Sequence, residues 1–283
     1  MGKPLPEREL EQTLKVRRVT PSNAQMHQLP SRIAQGARKV PEVTLLFWII
    51  KLLTTGMGET SSDYLVFHMN SYVAVALGAI GLVAAMMLQL AAKRYFAWIY
   101  WFAVVMVAIF GTMAADVVHI VLGVPYLIAS IFFAAALAII FGVWYATEKT
   151  LSIHSIYTLR RELFYWSAIM ATFALGTAVG DMTASTLQLG YFTSGLLFAV
   201  LFALPALGYW LFKLNPIFAF WFAYIMTRPL GASFADWFGK PRSVSGMGLG
   251  TGEISIILAV LIVGLVGYLS FTHVDVASES DAA

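Results

Sequence analysis

The chain has no cysteine among its 283 residues. That excludes disulfides and thiolate-held metals. Charge is scarce as well: Asp, Glu, Lys and Arg make up 12% of the residues, where a soluble domain carries about a quarter. No segment alternates polar and apolar residues in the manner of a barrel strand, which argues against a transmembrane β-barrel. The first 40 residues are polar and basic. They lack a short apolar core followed by a small-residue cleavage site, so no signal peptide is expected there. Neither HExxH nor GxSxG occurs, which removes two common hydrolase signatures.

What the chain has in quantity is apolar sequence. Apolar residues make up 59% of it and the mean hydropathy is +0.77. After Val40, eight apolar stretches follow, roughly 42–65, 70–92, 95–121, 125–147, 162–187, 191–213, 217–237 and 252–272. Each is close to the ~20 residues that a helix needs to cross ~30 Å of hydrocarbon. The reading is an all-α integral membrane protein with eight transmembrane helices.

Lys and Arg set the orientation. Lys3, Arg8, Lys15, Arg17, Arg18, Arg32, Arg38 and Lys39 precede the first stretch. Lys93, Arg94, Lys149, Arg160, Arg161 and Lys213 fall in the loops after the second, fourth and sixth. With eight spans all of these share one side, and only Lys240 and Arg242 occupy loops on the other. Both termini are therefore expected in the cytoplasm, in a multi-pass protein of the cell inner membrane. The net charge of +3 reflects this topology and not nucleic-acid binding. Four regions follow: a basic cytoplasmic tail at 1–40, membrane halves at 41–150 and 151–272, and a tail at 273–283.

Four stretches repeat one pattern: FWIIKLLTTGMGETSSD, YWFAVVMVAIFGTMAAD, YWSAIMATFALGTAVGD and FWFAYIMTRPLGASFAD. Each opens on an aromatic residue and a tryptophan (Trp48, Trp101, Trp166, Trp221). Ten residues on comes Gly58, Gly111, Gly176 or Gly231, and five further Asp63, Asp116, Asp181 or Asp236. A plainer apolar stretch follows each one. The unit is thus a helix pair, and an even number of spans per unit makes the four repeats parallel, unlike inverted-topology transporters. Similar spacings between repeats one and three and between two and four point to duplicated halves related by a pseudo-twofold axis. The residues TTGMGETSSDY, GTAVGDMTA and TRPLGASFADWFGKP resemble an uncharacterised family of bacterial membrane proteins defined by a fourfold repeat of unknown function. The resemblance covers about residues 40–272 and implies the repeat architecture, with no substrate attached.

An ionised carboxylate at the bilayer centre costs at least ~2.5–3.5 kcal/mol. Glu59 and the four repeat aspartates must therefore face the bundle interior. Helical rise places each glycine ~15 Å and each aspartate ~22 Å beyond its tryptophan. If the tryptophans mark the cytoplasmic interface, the aspartates form a ring in the outer half of an inner bundle of four signature helices. Glu42, Glu162 and Glu253 stand at span edges, within reach of headgroups, and Lys51 is placed to snorkel to the interface.

Hard oxygen ligands suit divalent cations. Asp63, Asp116, Asp181, Asp236 and Glu59 are the candidate ion-binding or proton-carrying residues, with Thr60, Thr177 and Ser233 as further oxygens. His119, three residues after Asp116, and His68 are possible additional ligands; of these two, His119 joins the expected metal set. Met57, Met113 and Met182 read as packing. Arg228 needs an acid from another helix, and Glu59 is the first choice. Gly58, Gly111, Gly176 and Gly231 serve close helix packing, and Pro229 a helix break.

The expected function is a transporter of cations, divalent metals first, with proton exchange as a variant and no covalent cofactor. Its partners are membrane lipid and the transported cation. The alternatives are a proton-coupled carrier of a small organic solute, a channel, and, from another class, an intramembrane aspartyl-type enzyme. AVGD resembles the GxGD pattern of such enzymes, but Ala178 replaces its first glycine. A structural role for the aspartates, bonded to backbone at helix breaks, is the plainest alternative.

Overall fold

A computed structural model describes residues 38–276 of the chain. Eight α-helices run through the described residues, with no strand among them: α1 Leu45–His68, α2 Ser71–Ala91, α3 Ala97–Asp116, α4 Tyr126–Glu148, α5 Leu159–Asp181, α6 Gly190–Phe212, α7 Pro216–Gly239 and α8 Thr251–Thr272. Six of them, α2 to α6 and α8, are long and apolar enough to cross a membrane. The apolar runs of α1 and α7 are interrupted by Lys51, Glu59 and Asp63 and by Arg228 and Asp236. The expected tail at 1–40 falls outside the described residues except for its last three, as does the stretch after 276.

Local signals explain the helix ends. The side chains of Thr44, Asn70, Thr158 and Asn215 accept from backbone N–H groups in the first turns of α1, α2, α5 and α7, which would otherwise lack partners. Pro216 takes the first turn of α7, where its missing N–H costs nothing. Lys149, Lys213 and His273 close α4, α6 and α8 in the left-handed conformation, so two lysines stand at the negative ends of helix dipoles.

The packing is cyclic. Signature helices α1, α3, α5 and α7 each contact the next, and α7 returns to α1. Around them, α2 packs on α3, α4 on α5, α6 on α7, and α8 closes the circle on α1. Each outer helix thus leans mainly on the signature helix that follows it.

The repeated glycines make this ring close. A Cβ on Gly58 would collide with Ala108, one on Gly111 with Phe173, one on Gly176 with Arg228, and one on Gly231 with Thr55. In every case the obstacle lies three residues before the neighbouring helix's own glycine. Small residues allow helices this close, and here one residue does so at each of four successive contacts.

The aromatic pairs form a second ring. Phe47 meets Trp101 with ring centroids 5.6 Å apart, Tyr100 meets Trp166 at 5.6 Å, Tyr165 meets Trp221 at 6.2 Å, and Phe220 meets Trp48 at 5.7 Å. Trp101, Trp166 and Trp221 are buried in protein, so these three do not face lipid. Aromatic faces and edges packed on one another outcompete the headgroup region here. Lys51 corrects the expectation that it snorkels. It is fully buried, with its ammonium 4.1 Å from the Phe173 ring centroid and 4.4 Å from that of Tyr224, because it projects into the ring's interior instead of towards its end.

At the same end, Glu162 is also buried. It accepts from Lys39 Nζ at 2.6 Å and from Gln89 Nε2 at 2.9 Å, so it does not reach for headgroups. Glu42 pairs with Arg38, and Tyr95 donates to Asp275. Burial, with the Asp275 charge beside it, pushes the Tyr95 hydroxyl far above its ordinary range.

Gly58→Ala should therefore destabilise the protein by about 1–3 kcal/mol, the cost of overpacking, because the obstructing Ala108 atoms include backbone. Gly142 has open space around it, and Gly142→Ala should be neutral or slightly stabilising. Thermal unfolding of both variants in detergent checks the contrast.

Candidate functional site

The interior beyond the glycines is polar. One residue after each glycine stand Glu59, Thr112, Thr177 and Ala232. Arg228, from α7, reaches into this layer and is fully buried. Its Nη2 donates to Glu59 Oε2 at 2.6 Å, to Thr177 Oγ1 at 2.8 Å and to Thr112 Oγ1; its Nη1 donates to the Thr55 carbonyl at 3.3 Å. The Thr112 and Thr177 hydroxyls donate their own protons to the carbonyls of Ala108 and Phe173, each at 3.0 Å. Their lone pairs are thus free for the guanidinium. One cation ties four helices together, and the glycine at 176 provides the room for its stem.

One turn further lies the aspartate layer. Carboxylate oxygens of Glu59, Asp181 and Asp236 come within 4.8 Å of one another. Asp63 joins through Lys240, whose ammonium is 3.3 Å from Asp63 Oδ2 and 3.1 Å from Asp236 Oδ2. Asp236 Oδ1 and the hydroxyls of Ser62 and Ser233 are buried without hydrogen-bond partners among the described residues. Asp116 is half-buried and has no ion pair among the described residues. Beyond the glycines the described residues thus include five carboxyl groups and only two cations among them, Arg228 and Lys240.

Four consecutive segments, residues 46–95, 99–150, 164–214 and 219–275, match the Repeat of Unknown Function (DUF347). The chain belongs to this family. No curated protein and no solved structure matches it. Each DUF347 segment takes in one signature helix and the outer helix after it, and the three converging carboxylates come from the first, third and fourth segments.

The two candidate histidines make contacts with backbone and tyrosine. His68 is exposed, with Nδ1 2.9 Å from the Tyr64 carbonyl and its ring stacked on Tyr64. His119 places Nδ1 2.8 Å from the Val124 carbonyl and stacks on Tyr126 at 3.6 Å. The chain passes into a π-helical turn over Val117–Val121. In that wider coil three residues fall well short of a turn, so His119 does not stand above Asp116. Among the smaller groups, Thr60 donates to the Gly56 carbonyl at 3.2 Å and accepts from Ser255 of α8 at 2.8 Å. It bonds outward, where Thr177 bonds to Arg228. Helix α7 runs uninterrupted through Pro229, which packs against Gly176 and Gly180.

Sequence reasoning passed over Lys240 as a loop charge. The signal was available: Asp236 and Lys240 stand four apart, the spacing at which an acid and a lysine meet on a helix.

Removing the arginine leaves Glu59 charged and unpaired. Arg228→Met should cost about 3–5 kcal/mol, as for a broken buried pair, whereas combining it with Glu59→Gln should restore much of it. Detergent unfolding of the two single variants and the double variant gives the coupling energy directly.

Proposed function

We propose that the protein is a transporter of divalent metal ions and that the acidic layer is its transport site. The observation that carries this reading is the convergence of Glu59, Asp181 and Asp236. Oxygens ligating one hard cation at ~2.0–2.6 Å lie at most ~4–5 Å apart, the spread seen here. The excess of carboxyl groups over cations in a mostly buried layer supports it, since any charge those groups carry must be offset by protons or a cation. Lys240 already meets two of the acids, evidence that the layer attracts cations.

In this reading all eight helices span the membrane, as four parallel helix pairs with both termini in the cytoplasm of a bacterial cell. The arginine layer and the aromatic ring close the path towards the cytoplasmic side, and rocking of the two halves opens it. An exchange of protons for the metal is the natural coupling, because the acids left by the ion must be neutralised again. The paired-aspartate enzyme fits less well: Lys240 lies between Asp63 and Asp236, whereas such a pair works by sharing one proton.

Flux into proteoliposomes tests the proposal, with Mn²⁺, Mg²⁺, Ca²⁺, Co²⁺, Ni²⁺ and Zn²⁺ offered with and without a pH gradient. The wild-type protein should move at least one of them. Asp181→Asn keeps the shape and removes the charge, and should abolish movement without unfolding the protein. Transport of none of these ions, or normal transport by the variant, would remove the reading.

A further inference from the structure

We propose that Lys240 is a tethered competitor at the cation site, and that it sets the charge an ion must carry to be admitted. The inference rests on the transport reading above and gives its site a selectivity device. Position four after the repeat aspartate is Phe67, Ile120, Ser185 and Lys240 in the four repeats. Only the fourth repeat supplies a cation, and it bridges Asp63 of α1 to Asp236 of α7. Those two helices form the contact where the beginning and the end of the ring meet.

The backbone of Lys240 is fixed. Its N–H donates to the Asp236 carbonyl at 2.8 Å and its carbonyl accepts from Gly248 N–H at 2.9 Å. The segment after it folds back onto α7 through Met247 to Trp237 at 2.6 Å, Leu249 to Phe238 at 3.0 Å and Gly250 to Gly239 at 3.1 Å. Gly246 lies so close that a Cβ there would strike the Lys240 carbonyl. Only the side chain can move. It is the more exposed partner, 19% against 2% for Asp236, so it covers the acids from outside. The Tyr191 ring, 5.1 Å from the ammonium, offers a second resting place through its π face.

Tethering decides which ions win. A group on a short linker acts at an effective concentration in the millimolar range or above. A monovalent ion would replace one charge by one charge and gain nothing over the tethered ammonium. A divalent ion brings twice the charge to one point and takes oxygens from Glu59 and Asp181 as well as Asp236. Lys240 then swings outwards, its ammonium released.

Mn²⁺ binding to the purified full chain, measured by equilibrium dialysis in NaCl, is the test. If the ammonium holds the site most of the time, Lys240→Gln should tighten Mn²⁺ binding ~10-fold and make it sensitive to Na⁺, while Lys240→Arg should stay as weak and as indifferent to Na⁺ as wild type. Unchanged or weaker binding in Lys240→Gln, with wild type binding Mn²⁺, would reduce Lys240 to a structural clip and leave the transport reading standing. No binding in any of the three proteins would sink both. A second measurement needs no variant: acylation of Lys240 in the wild-type protein, read by mass spectrometry, should rise when Mn²⁺ is added. Equal or lower labelling would overturn the displacement.

Discussion

Arg228 is the group on which the rest of the interior depends. A guanidinium cannot give up its proton, and taken out of water it needs an opposite charge and hydrogen-bond acceptors; here Nη1 and Nη2 have them, while Nε has no partner among the described residues. It finds Thr55 and Glu59 on α1, Thr112 on α3 and Thr177 on α5. Those four oxygens sit on three helices, so all three must approach α7 closely. The glycines at 58, 111, 176 and 231 are what the approach requires. The repeated motif thus has two parts with separate causes. Glycine answers a steric demand made by the neighbouring helix, through Ala108, Phe173, Arg228 and Thr55, and aspartate answers none that the packing reveals.

The scaffold is close to fourfold, and its chemistry is not. Glycine contacts and aromatic pairs pass from helix to helix around the ring with hardly a change. Lys51, Glu59, Arg228 and Lys240 all belong to the first and fourth repeats. The unequal charges therefore gather along the contact of α1 with α7, while α3 and α5 contribute Thr112, Thr177, Asp116 and Asp181. Each repeat carries its aspartate, but the buried cations among the signature helices, Lys51 and Arg228, belong to two repeats alone. Charge of both signs collects there, and the cations take up part of the negative charge that four repeats would otherwise present.

Much of this was legible in the sequence because the repeat acts as its own control. Four copies of a Trp–Gly spacing imply that the glycines meet their neighbours in one manner, which they do, and a lone buried arginine implies an acid on another helix, which is how Glu59 was singled out. Other features depended on direction around a helix. Lys51 looked close enough to an end to reach water, but its side chain projects between Phe173 and Tyr224. His119 looked one turn from Asp116, but the π-helical turn after Asp116 alters the spacing. Trp101, Trp166 and Trp221 looked like interface anchors, since tryptophan favours headgroups, yet each found an aromatic partner in the preceding repeat. That partnership needs the ring to close, which no single repeat encodes.

The central claim is that Glu59, Asp181 and Asp236 hold one divalent ion. Anomalous diffraction at the manganese absorption edge, from crystals of the full chain grown with Mn²⁺, tests it most directly. The account predicts a peak among those three carboxylates, with Lys240 turned away from Asp236. Manganese found only elsewhere on the protein, with Lys240 still bridging Asp63 and Asp236, would contradict it.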